Sequence, residues 1–183
     1  RVLRPWVRDP AFYQTIWMYE SDVPAHEGPT NHSLLEFWQY DFPLKKQDAQ
    51  KMAYELEVIP KLLFQARGNL TGNARDLWVA GIENFKDQEK NILYIREKIR
   101  DEHGKKFDKF LKKPIEKALK ANKEFLDWLI SKEPSKNGPS GIGKENYSWY
   151  QQNVHLVPLS WEEEVSLLKR ELDRAWSSLK FQE

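Results

Sequence analysis

Cysteine is absent from all 183 residues, which excludes disulfide staples, thiol nucleophiles and every zinc site built on thiolates. No run approaches the ~18 consecutive apolar residues that a membrane span requires. The N-terminus, Arg1 to Arg8, has no basic start followed by an apolar stretch and a small-residue cleavage site. An excess of one charge is missing too: 29 Lys and Arg stand against 28 Asp and Glu. No global field therefore attracts nucleic acid or an anionic membrane, and any charged surface must be local. Histidine is scarce, at four residues, so imidazole chemistry is confined to few places. Runs of strand length that alternate apolar with polar residues are lacking as well.

What the chain does have is aromatic residues, 13% with eight Trp, beside 31% charged residues. That mixture suits amphipathic helices with narrow apolar stripes and solvated outer faces. Asp9-Pro10 reads as an N-cap followed by Pro at the first helical position, predicting a short helix through about Tyr19. Ser21 to Pro43 holds three Pro and one Gly and reads as an ordered connecting segment, with one or two helical turns around Leu34 to Tyr40. Lys45 to Arg67 is helical in composition but contains Pro60, which predicts two helices or one kinked helix. After a turn at Asn69 to Asn73, Asn73 and Asp76 open the longest helix. In it Leu77, Ile82, Phe85, Ile92, Ile95 and Ile99 recur at helical spacing until His103-Gly104. Pro114 restarts a helix whose buried stripe is Ile115, Leu119, Phe125, Leu126 and Leu129. Glu133 to Gly143 is the clearest break, with Pro134, Gly138, Pro139, Gly141 and Gly143. Helix resumes at Lys144. The final helix opens with a Ser160/Glu163 capping box and carries Trp161, Val165, Leu168, Leu172, Trp176 and Leu179 on one side.

These readings predict an all-α fold, an irregular multi-helix bundle of long amphipathic helices with one Pro/Gly-rich connecting loop. Residues 1–183 form a single helical region: an N-terminal helix and connecting segment (1–43), a long-helix bundle (44–132), the loop (133–143) and C-terminal helices (144–183). A first residue of Arg and an end at Glu183, directly after a periodic segment, predict a piece of a longer chain.

Four constellations bear on chemistry. Gly138 to Lys144 nearly satisfies the phosphate-loop pattern, but Glu145 puts a carboxylate where a magnesium-binding hydroxyl belongs, and no buried strand precedes it. A glycine-rich helix start explains it better. His26, Glu27 and His32 are the one cluster resembling a zinc site. Their six-residue spacing does not bring both imidazoles to one helix face, and no third ligand is evident. Lys105, Lys106, Lys109, Lys112, Lys113, Lys117, Lys120 and Lys123 make a stripe that is either an ordinary solvated face or a binding surface for phosphate or an acidic protein. Gly141 to Trp161 (GIGKENYSWYQQNVHLVPLSW) joins a flexible turn, a helix N-terminus and a cluster of aromatics. Those aromatics either pack two helices together or wall a site for a peptide-like ligand. Gly141, Gly143, Lys144, Tyr147 and Trp149 are the candidate substrate-binding residues; none is assigned a catalytic or metal-binding role.

That last segment, continued as GIGKENYSWYQQNVHLVPLSWEEE, resembles the bacterial family called domain of unknown function 885, which joins a Gly-x-Gly-Lys turn to an aromatic helix and a Trp-Glu-Glu helix start. RDPAFY near the N-terminus and VIPKLLFQARGNLTGNARDLWV agree, so the resemblance runs over nearly the whole chain. It implies a helical zinc metallopeptidase-like parent, secreted or periplasmic. The zinc-binding His-Glu-x-x-Pro-Gly-His motif of such a parent lies later in a much longer chain. That motif is absent here: His26 to His32 has its spacing but lacks the Pro-Gly pair and precedes GIGKENY. By this resemblance the chain holds no cofactor itself, zinc belongs to the parent, and its partners are the remainder of its own chain and a peptide substrate, with no nucleic acid and no membrane span. The alternative is a noncatalytic helical binding module for an anionic or protein partner.

Overall fold

The computed structural model describes residues 4–19 and 34–182. Over these residues the fold is all-α: α1 (Pro5–Arg8), α2 (Lys46–Asn69), α3 (Arg75–His103), α4 (Asp108–Lys132), α5 (Lys144–Tyr150) and α6 (Trp161–Lys180), with one two-stranded sheet, β1 (Ile16–Trp17) parallel to β2 (Leu35–Glu36). Two units result, residues 4–140 and a second beginning at Gly141.

In the larger unit, sequence period decides burial. Met52, Leu56, Ile59, Leu63 and Ala66 on α2 are buried at steps of three and four, as are Trp78, Ile82, Phe85, Gln88, Ile92, Ile95 and Ile99 on α3. On α4 the row is Leu111, Ile115, Ala118, Asn122, Phe125 and Leu129. Helix α4 packs against both α2 and α3, so its stripe is the centre of the core. Phe85 meets Phe125 edge-on at 4.7 Å, and Trp128 lies 5.6 Å from both Phe125 and Trp78. The buried Trp78 indole donates to the Leu129 carbonyl at 2.9 Å, so its one polar atom is satisfied.

Two of the stripe positions are polar, and they satisfy each other. Gln88 and Asn122 are fully buried. The Gln88 Oε1 accepts from the Thr15 backbone N–H (2.8 Å), the Thr15 hydroxyl (3.2 Å) and the Ile16 N–H (3.3 Å). Its Nε2 donates to Asn122 Oδ1 at 2.9 Å, and Asn122 Nδ2 donates to the Phe85 carbonyl at 3.0 Å.

This network explains the largest departure from the sequence reading. Asp9 does cap, its carboxylate accepting from the Ala11 N–H at 2.9 Å, but it opens a single 3-10 turn, Pro10–Tyr13, rather than a helix to Tyr19. The chain then extends into β1, because the Thr15 and Ile16 N–H groups are taken by Gln88 instead of by a helical ladder. Pro60 lies inside one continuous helix, α2. Pro114 does not restart a helix: α4 already runs from Asp108, where burial of Phe107 and Leu111 offsets the one bond that Pro114 cannot donate.

Nor does Asn73 cap α3; the N-cap position is Ala74. Asn73 instead exchanges two bonds with Asn137, at 2.7 and 2.9 Å, and the open first turn of α3 is satisfied from far along the chain. Ser140 Oγ accepts from the Asp76 N–H at 2.7 Å, and the Gly138 carbonyl accepts from Arg75 N–H at 3.1 Å. Gly138 is required there, since a Cβ would stand 2.2 Å from the Asn73 carbonyl oxygen. Arg8 ties the same loop down, donating to the Ser140 carbonyl at 2.5 Å.

Gln88→Leu should lower the stability of the 4–140 unit by about 3 kcal/mol, because two backbone N–H groups and the Asn122 carbonyl lose their partner in the core. Urea unfolding checks this; a midpoint equal to the parent's would mean that other contacts hold β1.

Candidate functional site

In the second unit, Gly143 adopts φ +84, a left-handed conformation that favours glycine, and α5 begins at the next residue. The Asn146 side chain closes the turn by donating to the Ile142 carbonyl at 2.8 Å. After Tyr150 a wide turn, Gln151–His155, ends at Leu156 with φ 58, and the chain enters α6 through the expected capping box: the Glu163 N–H donates to Ser160 Oγ, and Ser160 N–H donates to Glu163 Oε2. The backbone bond from Ser160 holds the Glu163 carboxyl below its usual range.

Side chains from the start of α6 engage those of α5. Lys144 Nζ stands 3.9 Å from the Trp161 ring centre and 3.6 Å from Glu162 Oε1. The Tyr147 hydroxyl donates to Glu164 Oε2 at 2.5 Å, which pushes the phenol above its ordinary value. Ser148 Oγ accepts from the Trp161 N–H at 3.0 Å. The result is an elbow: α5 and the first turn of α6 held by one cation over a ring, one ion pair and two hydrogen bonds.

The five candidate residues thus fall together in sequence and space but divide by role. Lys144 and Tyr147 are engaged within the elbow, and Gly143 supplies its left-handed turn. Among the described residues nothing lies within 4 Å of where a Cβ on Gly141 would stand. Trp149 remains 53% exposed. The sequence reading missed Ser148, Glu162 and Glu164 as partners; the signal was the row of three acids opening α6, facing a Lys and a Tyr one short segment earlier.

The lysine stripe separates as well. Lys106 and Lys109 lie over the rings of Phe107 and Phe110 at 5.2 and 4.9 Å, and Lys120 pairs with Glu124 at 3.8 Å. Lys105 and Lys112 instead line a pocket that they share with Arg96 and Arg100 of α3. His26, Glu27 and His32 lie outside the described residues. Among the described residues no three His, Asp or Glu are gathered as metal ligands, and no helix is long and apolar enough to cross a membrane.

No family model matches this chain, and comparison with curated proteins and with solved structures returns no match.

His103, in the last turn of α3, accepts the Leu44 N–H on Nε2 at 2.8 Å and lies against the rings of Phe42 and Phe107. Burial, reinforced by Lys106, lowers its pKa below the ordinary 6.5. The unfolded chain therefore binds this proton at a higher pH than the folded chain. Stability contributed here is present above the ordinary value and is lost as pH falls from about 6.5 toward the folded pKa. Urea midpoints at pH 7.5 and 5.5 should differ more for the parent than for His103→Phe; an equal fall in both would remove the role.

Proposed function

We propose that this chain is the noncatalytic helical N-terminal region of a zinc peptidase-like protein, in which the elbow and α6 wall one side of a substrate cleft. Zinc would supply Lewis-acid and water-activating chemistry there. The described residues gather no ligand set for it, so no reaction step is assigned to them.

The observation that carries this reading is α6. One face bears Leu168, Leu172, Trp176 and Leu179, 46–65% exposed, and none of the helix's residues is buried. Most of the stability of a helix in a protein comes from packing an amphipathic face, and α6 leaves such a face open along its 20 residues. The occupant we assign is the remainder of its own chain, because the GIGKENY to SWEEE segment that carries the resemblance runs directly into this helix. Trp149 then presents a broad apolar ring with an N–H donor, suited to a peptide, while Lys144 and Tyr147 keep the elbow in shape. A second reading, a noncatalytic binding module for an anionic partner, is favoured by a separate observation, the cations around the α3–α4 pocket.

The test uses the natural gene product. Peptide hydrolysis abolished by a zinc chelator is expected, with Trp149→Ala reducing kcat/KM at least tenfold at an unchanged unfolding midpoint, and α6 amides exchanging more slowly than in the 183-residue chain. Absence of chelator-sensitive hydrolysis overturns the peptidase reading, and equally fast α6 exchange in both overturns the cleft wall.

A further inference from the structure

Arg96, Ile99 and Arg100 recur at three- and four-residue steps on α3, as do Leu111, Lys112, Ile115 and Glu116 on α4, so each set occupies one helix face. The two faces meet in a pocket of about 280 Å³ beside the turn at Gly104 and Lys105. Its floor is the buried Ile99, Leu111 and Ile115. Its exposed rim carries Arg96, Arg100, Lys105 and Lys112 against two carboxylates, Asp108 and Glu116, an excess of two positive charges.

Some of the neighbouring cations are paired. Lys98 on α3 pairs with Glu102 at 2.9 Å, and Lys120 on α4 with Glu124. Among the described residues, Arg96, Arg100, Lys105 and Lys112 form no ion pair or side-chain hydrogen bond within the chain. Long Arg and Lys stems extend apolar surface while their heads reach water, so the pocket is apolar at depth and cationic at its mouth. Arg adds a planar fork that matches carboxylate or phosphate oxygens in pairs.

We propose that the α3–α4 pocket binds a small amphiphilic anion, a carboxylate or phosphate monoester on a medium-length apolar chain. The head is held at the mouth by Arg100 and Lys112, and the chain lies over Ile99, Leu111 and Ile115. Size sets the class. The volume, at about 30 Å³ per water-sized group, takes roughly nine such groups, and it lies just below the ~300–1,000 Å³ of drug-sized sites. That fits an eight-carbon chain with its head, not a long fatty acid or a two-tailed lipid. The inference does not depend on the peptidase reading.

Octanoate, octyl phosphate, octanol and inorganic phosphate, each below any micelle concentration, are titrated calorimetrically into the 183-residue chain, with amide shifts followed by NMR; vesicles containing anionic lipid form a separate arm. Octanoate or octyl phosphate should bind saturably with Kd below about 1 mM, shifting amides of residues 96–116. Octanol and inorganic phosphate should each bind at least tenfold more weakly. Arg100→Glu combined with Lys112→Glu should weaken the amphiphile at least tenfold at an unchanged urea midpoint, and Arg96→Ala with Lys105→Ala should move affinity in the same direction. The proposal is overturned by no saturable binding of either amphiphile, by equal binding of phosphate or octanol alone, by undiminished binding in the charge-reversed variant, or by association with vesicles only.

Discussion

A single buried amide, the side chain of Gln88, lies where three segments of the larger unit meet. Its oxygen accepts from Thr15 and Ile16, and its nitrogen reaches Asn122 on α4, which returns a bond to the α3 backbone at Phe85. Every other position of the α3 and α4 stripes quoted above is apolar or small, and apolar contacts are tolerant of sliding. A polar pair in a low-dielectric core is not: shifted by one turn, both amides would lose their partners at a cost of several kcal/mol. The pair thereby fixes how α3 and α4 align, and the Phe85, Phe125, Trp128 and Trp78 rings meet in consequence.

The elements that were legible in the sequence are those whose signal is local. The stripes of α3 and α4, the end of α3 at His103-Gly104, the start of α5 at Lys144 and the Ser160 capping box all follow from period or from residues within one turn. What was illegible depends on partners distant in sequence. Nothing near Gln14 says that the next two N–H groups will be taken by residue 88, and so the first helix was expected to run too far. Asn73 looked like a cap because Asp76 followed it at the right distance, yet the capping oxygen came from Ser140. At position 114 the apolar residues around the proline are committed to the core, and α4 runs through it. The candidate site divided likewise. Gly141 to Trp161 is dense in aromatic and charged residues, but spacing alone does not show that Lys144 and Tyr147 are turned to Glu162, Trp161 and Glu164. The pocket cations were half visible, as Lys105 and Lys112; their α3 counterparts became neighbours only through the fold.

The two units hold themselves together by different means. Residues 4–140 do so by burial, with polar groups matched inside. The unit beginning at Gly141 relies on its elbow, where a capped helix start, an ion pair and a tyrosine hydroxyl fix α5 against the first turn of α6. Exposed pairs of this kind contribute little each, and none of the residues of α6 is buried.

Ser140 gives the chain a chemically defined seam. Its hydroxyl terminates α3, 64 residues back in sequence, and its carbonyl receives Arg8 from near the start of the chain. The Pro/Gly-rich stretch around it looks like a spacer, yet up to this residue it is the lid that completes the helix beneath. Modularity therefore begins one peptide bond later. A different C-terminal appendage joined after Ser140 leaves both bonds intact, whereas a splice a few residues earlier removes the end-cap of the longest helix and the carbonyl that Arg8 reaches. The permissible junction is set by two hydrogen bonds rather than by the apparent looseness of the loop.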